Sequence, residues 1–247
     1  MKLSDIERSL IEDVKQGVSE TVNFIGELTE YHGEPVKTEY IITVNIARSL
    51  LQRFLGLVAI EYLINQIKGH ALISDDSKEF LLGSQRFDVV VLDQISPLLI
   101  VEVKIKSNSL SKFKRDILKI MSYMEYLKHS HASKVLGLCV FQTEVYALSS
   151  QSLAQTTKRI HKVEAKIQKQ LEAFSALHPS FEFEIVPFQG PSERIYDDEM
   201  IEDVDGTPML GKRGYAARYH AVLIRRLAPT TQAPPRNWLA QIVDGAE

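Results

Sequence analysis

The amino-terminal part of the chain has apolar residues at every third or fourth position, which is the spacing of one face of an α-helix. These positions run from Ile6 to Leu28, and Ser4 and Glu7 have the spacing of a capping box at a helix start. The pattern predicts an amphipathic helix that ends near Gly33. One face of this helix is expected to pack against a core.

Two kinds of apolar pattern alternate in the middle of the chain. Residues 38–67 are apolar on more than one face, which predicts a largely buried helix or a broken pair of helices. An amphipathic helix is predicted at Ser111–Leu127, between the last two of four short runs rich in β-branched residues. The four predicted strands are Ala71–Ser74, Phe87–Leu92, Leu98–Ile105 and Val135–Phe141.

The order of these elements predicts an α/β fold with a mixed sheet. A strand, a crossover helix and a further strand form a parallel pair, and the runs before the crossover form a hairpin. We expect one elaborated domain in three parts. These are an amino-terminal helix (1–34), a core of sheet and flanking helices (35–149), and a carboxy-terminal extension packed on that core (150–247).

The carboxy-terminal extension begins with a second long amphipathic helix, predicted at Ser150–Leu177. Its apolar stripe fits either core packing or a dimer seam, so a homo-oligomer is an open alternative. Strands are predicted at 181–187 and 218–227. Between them, Glu193–Gly206 holds seven acidic residues and one arginine, a composition typical of a solvated loop.

The segment from Arg86 to Lys104 carries the most chemical information. Two apolar runs flank the sequence DQISP, which has the composition of a turn and predicts a β-hairpin. With the turn centred on residue 95, the numbers of antiparallel partners sum to 190, so Asp88 lies opposite Glu102. Because side chains alternate along a strand, Asp88, Glu102 and Lys104 are expected on one face of the sheet.

Two opposed carboxylates in apolar strands need compensation. Their Cβ atoms would lie ~5 Å apart, where the carboxylates repel each other and lose hydration. A divalent cation offsets both effects. Mg²⁺ takes a few carboxylates and keeps water and phosphate oxygens in its shell, as hydrolysis of a phosphodiester requires. Lys104 could hold the attacking water or stabilise the charge that develops on the phosphate.

The pattern resembles a known nuclease superfamily. Asp88, thirteen intervening residues and then Glu102-Val103-Lys104, with a helix before and a crossover helix after, is similar to the core of the PD-(D/E)XK restriction-endonuclease-like nucleases. The resemblance covers roughly residues 35–149. Within the superfamily, residues 87–104 look most like the amino-terminal nuclease region of type I restriction subunits.

The resemblance implies both a fold and an activity. The fold is a restriction-endonuclease-like mixed β-sheet core flanked by helices. The activity is that of a Mg²⁺-dependent (or Mn²⁺-dependent) deoxyribonuclease, which hydrolyses phosphodiester bonds of DNA in restriction, defence or repair. Asp88 and Glu102 would be metal ligands and Lys104 the catalytic lysine. The first core helix of these nucleases often contributes an acidic residue, and here Glu39 would be that residue and a further metal ligand. Glu61 is the alternative.

The chain departs from the superfamily pattern at two places. Phe87 stands where many members have proline, which is a common variation. Some branches carry a Gln-x-x-x-Tyr element on the helix after the catalytic lysine, and here Lys119 and Tyr123 stand at the matching positions. This puts membership of those exonuclease-like branches in doubt, although Lys119 could still touch phosphate.

Basic residues are concentrated beside the predicted site. From Glu102 to Lys134 there are eight cations and three acids, a local charge of +5. We expect five of these cations to bind the DNA backbone, although a solvated helix start has the same composition. They are Lys106, Lys112, Lys114, Arg115 and Lys119.

Composition narrows the choice of protein class. The 247 residues are 45% hydrophobic and 25% charged, and the net charge of −3 gives no global attraction to nucleic acid or to anionic lipid. Cys139 is the single cysteine, so an intrachain disulfide and a cysteine zinc cage are excluded. With no apolar run of membrane-spanning length and no signal-peptide pattern at the start, we expect a cytoplasmic protein without a membrane partner.

Two alternatives to an active nuclease are compatible with the same sequence. One is a catalytically inactive nuclease fold that binds nucleic acid. The other is an assembly subunit, in which the long helices near residues 4–30 and 150–177 pack against a partner.

Overall fold

The computed structural model of the protein describes four long helices, nine strands and the segments that join many of them. The described residues are 3–32, 38–53, 56–63, 85–93, 96–127, 132, 134–146, 153–188, 193–196, 200–202, 208–210 and 213–227.

The helices form where the apolar periodicity predicts them. At the start of the first helix the capping box is formed: the Ser4 N–H donates to Glu7 Oε2 (2.7 Å) and the Glu7 N–H donates to Ser4 Oγ (3.3 Å). A single 3-10 turn, Leu110–Lys112, precedes the third helix. The four helices are α1 (Asp5–His32), α2 (Thr38–Arg53), α3 (Lys114–Tyr126) and α4 (Leu153–Leu177).

Seven strands form one mixed sheet, in the order β1-β2-β3-β4-β9-β5, and β6 also pairs with β9. The strands β3 and β4 are parallel and α3 connects them, so the predicted crossover is confirmed. The other pairs in this sheet are antiparallel, and β7 and β8 form a separate hairpin. The strands are β1 (Leu57–Leu63), β2 (Arg86–Asp93), β3 (Ser96–Lys104), β4 (Leu136–Tyr146), β5 (Phe181–Phe188), β6 (Glu193–Tyr196), β7 (Met200–Glu202), β8 (Pro208–Leu210) and β9 (Arg213–Arg226).

The expectation of helix throughout residues 38–67 is wrong beyond Arg53. Residues 57–63 form β1, which pairs with β2 at every residue except Glu61. The sequence LVAIEYL is rich in β-branched and aromatic residues, and a neighbouring strand supplies the partner that an isolated pattern does not reveal. The predicted strand Ala71–Ser74 lies outside the described residues.

The acidic segment 193–206 is not wholly a loop. Residues 193–196 form β6 on the edge of β9, and residues 200–202 form β7. Backbone pairing with an available strand edge does not depend on side-chain charge, so acidic composition alone did not predict these strands. The carboxy-terminal part therefore adds strands to the central sheet as well as a helix.

The two faces of the sheet carry two separate apolar cores. The helices α1 and α2 cover one face, where Val14 and Ile46 are fully buried. The helices α3 and α4 cover the other face with residues such as Ile117 and Ile167. Among the described residues, no helix has the length and apolar character needed to cross a membrane.

Candidate active site

The candidate site lies where β2 and β3 separate. Their ladder pairs Val89 with Val101, Val90 with Ile100 and Val91 with Leu99, so the predicted register, in which partners sum to 190, is confirmed over these residues. It shifts by one between Val91 and Leu92, towards the turn. At the other end the ladder stops just before Asp88 and Glu102.

Asp88 takes the place of the missing backbone pair. Its Oδ2 accepts a hydrogen bond of 2.7 Å from the backbone N–H of Val103 on β3. Burial raises the pKa of Asp88 to about 6, although the Val103 N–H and the charge of Lys119 favour the ionised form. The carboxylates of Glu39 and Glu61 raise the pKa further. Asp88 therefore lies in a crowded acidic environment.

Glu102 is the most deeply buried charged group of the site, with only 3% of its surface exposed. Its Oε1 lies 2.6 Å from Lys119 Nζ. This short contact pairs the buried carboxylate with the ammonium group of Lys119. Burial raises the pKa of Glu102 well above its usual value; Lys119 opposes this effect and Asp88 adds to it.

Lys104 and Glu39 form the exposed side of the site. Lys104 Nζ lies 3.4 Å from Glu39 Oε1, and each side chain is 39% exposed. Glu39 belongs to the first turn of α2, so this contact joins the start of that helix to the end of β3. Burial alone would lower the pKa of Lys104, but Glu39 and Asp116 raise it overall. Lys104 is consequently held in its protonated form.

Lys119 lies inside the site, unlike the exposed cations with which the sequence grouped it. Its Nζ donates to the backbone carbonyl of Arg86 (2.7 Å) and lies 5.4 Å from the centroid of the Phe87 ring. Only 16% of its side chain is exposed. Lys119 is therefore a fixed positive charge between β2 and Glu102.

Asp116 is a site residue that the sequence reasoning missed. It lies one turn before Lys119 on α3, and burial is the main reason that its pKa is raised. Lys104 and Lys119 lower the pKa of Asp116, and Glu39 raises it, so all four groups share one electrostatic environment. The available signal was helical spacing: Asp116, Lys119 and Tyr123 follow each other at i, i+3 and i+7.

Tyr123 and Glu61 occupy supporting positions. Tyr123 is buried edge-on against Phe87, with 5.3 Å between ring centroids. Glu61 lies on β1 and not on a helix, which removes it as the helical acid of the site. Its oxygen lies 3.7 Å from Arg86 Nη1, and its φ of 52° is in the left-handed region. The strand is thus irregular beside Asp88.

The remaining predicted DNA-binding cations are exposed on the segment that leaves β3. Lys106 has a φ of 54°, which turns the chain away from the strand immediately after Lys104 and Ile105. The other three lie on the 3-10 turn and the first turn of α3. They are Lys112, Lys114 and Arg115, and each is exposed.

The protein groups alone do not enclose a metal ion. Within the described part of the chain, no group of three or more His, Cys, Asp or Glu side chains is arranged to hold one. Two carboxylates suffice for a Mg²⁺ site that completes its shell with water and substrate oxygens. Asp88 and Glu102 are two such carboxylates, and they fit such a site because the charge of Asp88 raises the pKa of Glu102, which places the two groups close together.

Comparison of the chain with models of protein families, with curated proteins and with solved structures found no match. Its sequence pattern and the geometry of its side chains are therefore the grounds for a function.

Proposed function

We propose that the protein is a metal-dependent nuclease that hydrolyses phosphodiester bonds of DNA. In this proposal its sheet and flanking helices are a restriction-endonuclease-like core. One observation carries the proposal: two partly or fully buried carboxyl groups and a protonated lysine lie together where β2 and β3 diverge. Such a cluster is unfavourable for folding, and its chemistry is that of a hydrolytic site.

Asp88 and Glu102 would hold Mg²⁺ or Mn²⁺. Carboxylate oxygens are the ligands that these cations prefer. Lys119 is itself a cation and cannot be a ligand, and only 16% of its side chain is exposed. When bound, the cation would stabilise the negative charge that develops on the phosphate. Glu39 contacts Lys104 directly, so its first role is to hold that lysine.

Lys104 acts as a cation and hydrogen-bond donor. Because neighbouring carboxylates raise its pKa, it does not serve as a general base near neutral pH. Its ammonium group can orient the attacking water and stabilise the charge on the non-bridging oxygens. Because it lies at the partly exposed end of β3, the ammonium group is accessible to a substrate.

Lys119 favours the ionised form of Glu102, which is the form that binds a metal ion. A carboxyl group as buried as Glu102 is disfavoured in its charged form, and Lys119 is the nearest group that favours ionisation. The exposed cations Lys106, Lys112, Lys114 and Arg115 would position the DNA backbone next to Lys104.

The direct test is cleavage of supercoiled plasmid DNA by the purified protein in Mg²⁺. We expect nicking or linearisation that EDTA abolishes, and a Lys104→Ala protein that is slower by about 100-fold or more. The matched control is Lys15→Ala, which removes a lysine from α1 on the opposite face of the sheet. Circular dichroism should show that both variants keep the parent fold.

Cleavage by Lys104→Ala at the parent rate would overturn the catalytic assignment. Absence of cleavage by the parent in both Mg²⁺ and Mn²⁺ would overturn the nuclease proposal.

A second candidate is a nuclease fold that binds DNA without cutting it. The observation in its favour is the 2.6 Å contact between Lys119 and Glu102, which already neutralises the carboxylate that a metal would use. DNA retention in EDTA together with no cleavage in either metal would select this function.

A further inference from the structure

The outward face of α4 carries a stripe of lysines. The four residues are spaced at i, i+4, i+8 and i+11, so they fall within an arc of roughly 80° and extend over about 17 Å of helix. All four are exposed, and the opposite side of the helix carries the buried residues Ile160, Ile167, Leu171 and Phe174. The lysine stripe consists of Lys158, Lys162, Lys166 and Lys169.

The positive charge of the lysine stripe is not neutralised by the helix itself. Glu164 turns towards the sheet, where its Oε1 lies 3.3 Å from His220 Nε2 and 3.6 Å from Arg218 Nη1. Glu172 accepts a hydrogen bond from Gln168. Among the residues that the structure describes, no lysine of the stripe has an ion-pair partner, which is unexpected for a chain of net charge −3.

The carboxy-terminal half of α4 packs against the basic segment beside the candidate active site. Gln170 Oε1 accepts a hydrogen bond of 3.0 Å from the backbone N–H of Leu110. Lys114 Nζ lies 5.8 Å from the centroid of the Phe174 ring. These contacts hold the 3-10 turn and the start of α3 against the carboxy-terminal half of α4. The basic segment that leaves β3 and the helix that carries the lysine stripe are therefore packed together.

We propose that the lysine stripe is a docking surface for the phosphate backbone of duplex nucleic acid, which it holds across α4 and directs towards Lys104. The proposal rests on the proposed nuclease function and specifies its substrate as a duplex that extends well beyond the cut site. A duplex carries one charge per ~1.7 Å of axis, so the length of the stripe faces roughly ten phosphates.

Charge and chemistry favour a duplex over other polyanions. Proteins that bind single strands stack bases on exposed aromatic side chains, and the stripe consists of lysines alone. A helix that binds an anionic membrane buries an apolar face in the lipid, whereas the apolar face of α4 is committed to the core beside Ile117 and Val222. Regularly spaced lysines on one face of a helix suit the regularly spaced phosphates of a rigid duplex.

The test measures binding in EDTA, where no cleavage occurs, by fluorescence anisotropy with a labelled duplex of about 30 base pairs. The variant replaces the four lysines of the stripe by glutamine. We expect it to bind roughly 100-fold more weakly, and its plot of log affinity against log salt to lose about 3 to 4 units of slope. Circular dichroism and thermal melting should match the parent.

A matched control changes the net charge by the same amount on the opposite side of the molecule. It combines Ser9→Glu, Lys15→Gln, Gln16→Glu and Asn23→Glu on α1, and we expect binding within about threefold of the parent. Equal weakening by the two variants would overturn the docking surface. The docking surface would also be overturned if the parent bound the single strand more tightly than the duplex. It would likewise be overturned if the stripe variant lost binding to phosphatidylserine vesicles but bound the duplex as tightly as the parent.

Failure of this inference can be separated from failure of the nuclease proposal. If the parent binds duplex through the stripe and never cuts in Mg²⁺ or Mn²⁺, the docking surface stands and the activity does not. If the parent cuts and depends on Lys104, but the stripe variant cuts equally well at low and at elevated salt, the activity stands and the docking surface does not.

Discussion

The helices α1 and α4 are the longest in the described chain, and they lie on opposite faces of the same sheet. Both bury an apolar stripe. Their charges differ: α1 carries seven acidic and two basic residues, whereas α4 carries five basic and two acidic ones. The apolar pattern is thus sufficient to place a helix on the sheet, and the charge on its outer face distinguishes what it can bind.

Both layers also contain buried polar and charged side chains. On the α1 and α2 side, Thr21 and Thr43 satisfy their hydroxyl groups locally, by donating to a carbonyl four residues earlier in the same helix. Ion pairs with a buried or partly buried partner occur in both layers. They are Lys119 with Glu102 and Arg226 with Glu125 on the α3 and α4 side, and Arg225 with Glu7 and Arg53 with Asp13 on the α1 and α2 side. Only the α3 side brings the carboxyl groups of Asp88 and Glu102 together with Lys119 at one place among the described residues, and such a costly cluster indicates where function lies.

The largest effect on stability should come from the close crossing of α1 and α2. A Cβ atom on Gly17 would lie 2.5 Å from the Cα of Ile46 and 2.7 Å from the carbonyl oxygen of Asn45. Because these are backbone atoms, the helices must move apart, and we expect Gly17→Ala to lower the free energy of unfolding by about 3 kcal/mol. Urea denaturation measures this change.

The matched substitution in the other layer is Gly137→Ala. There the nearest atoms are side-chain atoms, Ile120 Cγ2 at 2.5 Å and Met124 Cε at 3.1 Å. They can adjust in part, so we expect a loss of about 1 to 2 kcal/mol. If Gly137→Ala proved as destabilising as Gly17→Ala, or more so, the contrast between backbone and side-chain packing would be wrong.

The buried carboxyl group of Asp88 should also make the stability of the protein depend on pH. Burial raises the pKa of Asp88 from 3.8 to about 6, so between these values the folded protein binds more protons than the unfolded chain. The free energy of unfolding should therefore fall as pH rises from about 4 to about 6, by at most about 3 kcal/mol from this group. Glu102 acts in the same direction at higher pH, because its pKa is also raised.

Replacing Asp88 by asparagine should flatten this pH dependence in urea denaturation without metal. The control is Asp5→Asn, at a side chain that is 96% exposed on α1, which should retain the slope of the parent. If the Asp88→Asn protein kept the parent's dependence of stability on pH, burial would not raise the pKa of this carboxyl group.

Much of the fold could be predicted from the sequence because its helices and central strands have strong periodicity. The capping box of α1 and the register of Val89 to Val91 with β3 follow from local spacing and from turn composition. The strand β1 could not be predicted in the same way. Its apolar residues fit a buried helix equally well, and only pairing with β2 decides between the two.

The candidate site was predictable along its strands and not across its helices. A strand pair fixes which residues are opposed, so the sequence predicts that Asp88 and Glu102 lie together. The rotation of α3 relative to the sheet is set by packing, so the inward positions of Asp116 and Lys119 were not evident. The lysine stripe of α4 is periodic in sequence, but its exposure depends on which face of that helix packs on the sheet.

The central claim is that Asp88 and Glu102 form a cation site, and titration of the protein with Mn²⁺ tests it most directly. At about pH 8, where more of the carboxyl groups are ionised, calorimetry should show binding of one Mn²⁺ per chain. Glu102→Gln should weaken this binding by about 10-fold or more, whereas Asp5→Asn should leave it unchanged. Equal Mn²⁺ binding by the parent and Glu102→Gln, or none by the parent, would contradict the claim.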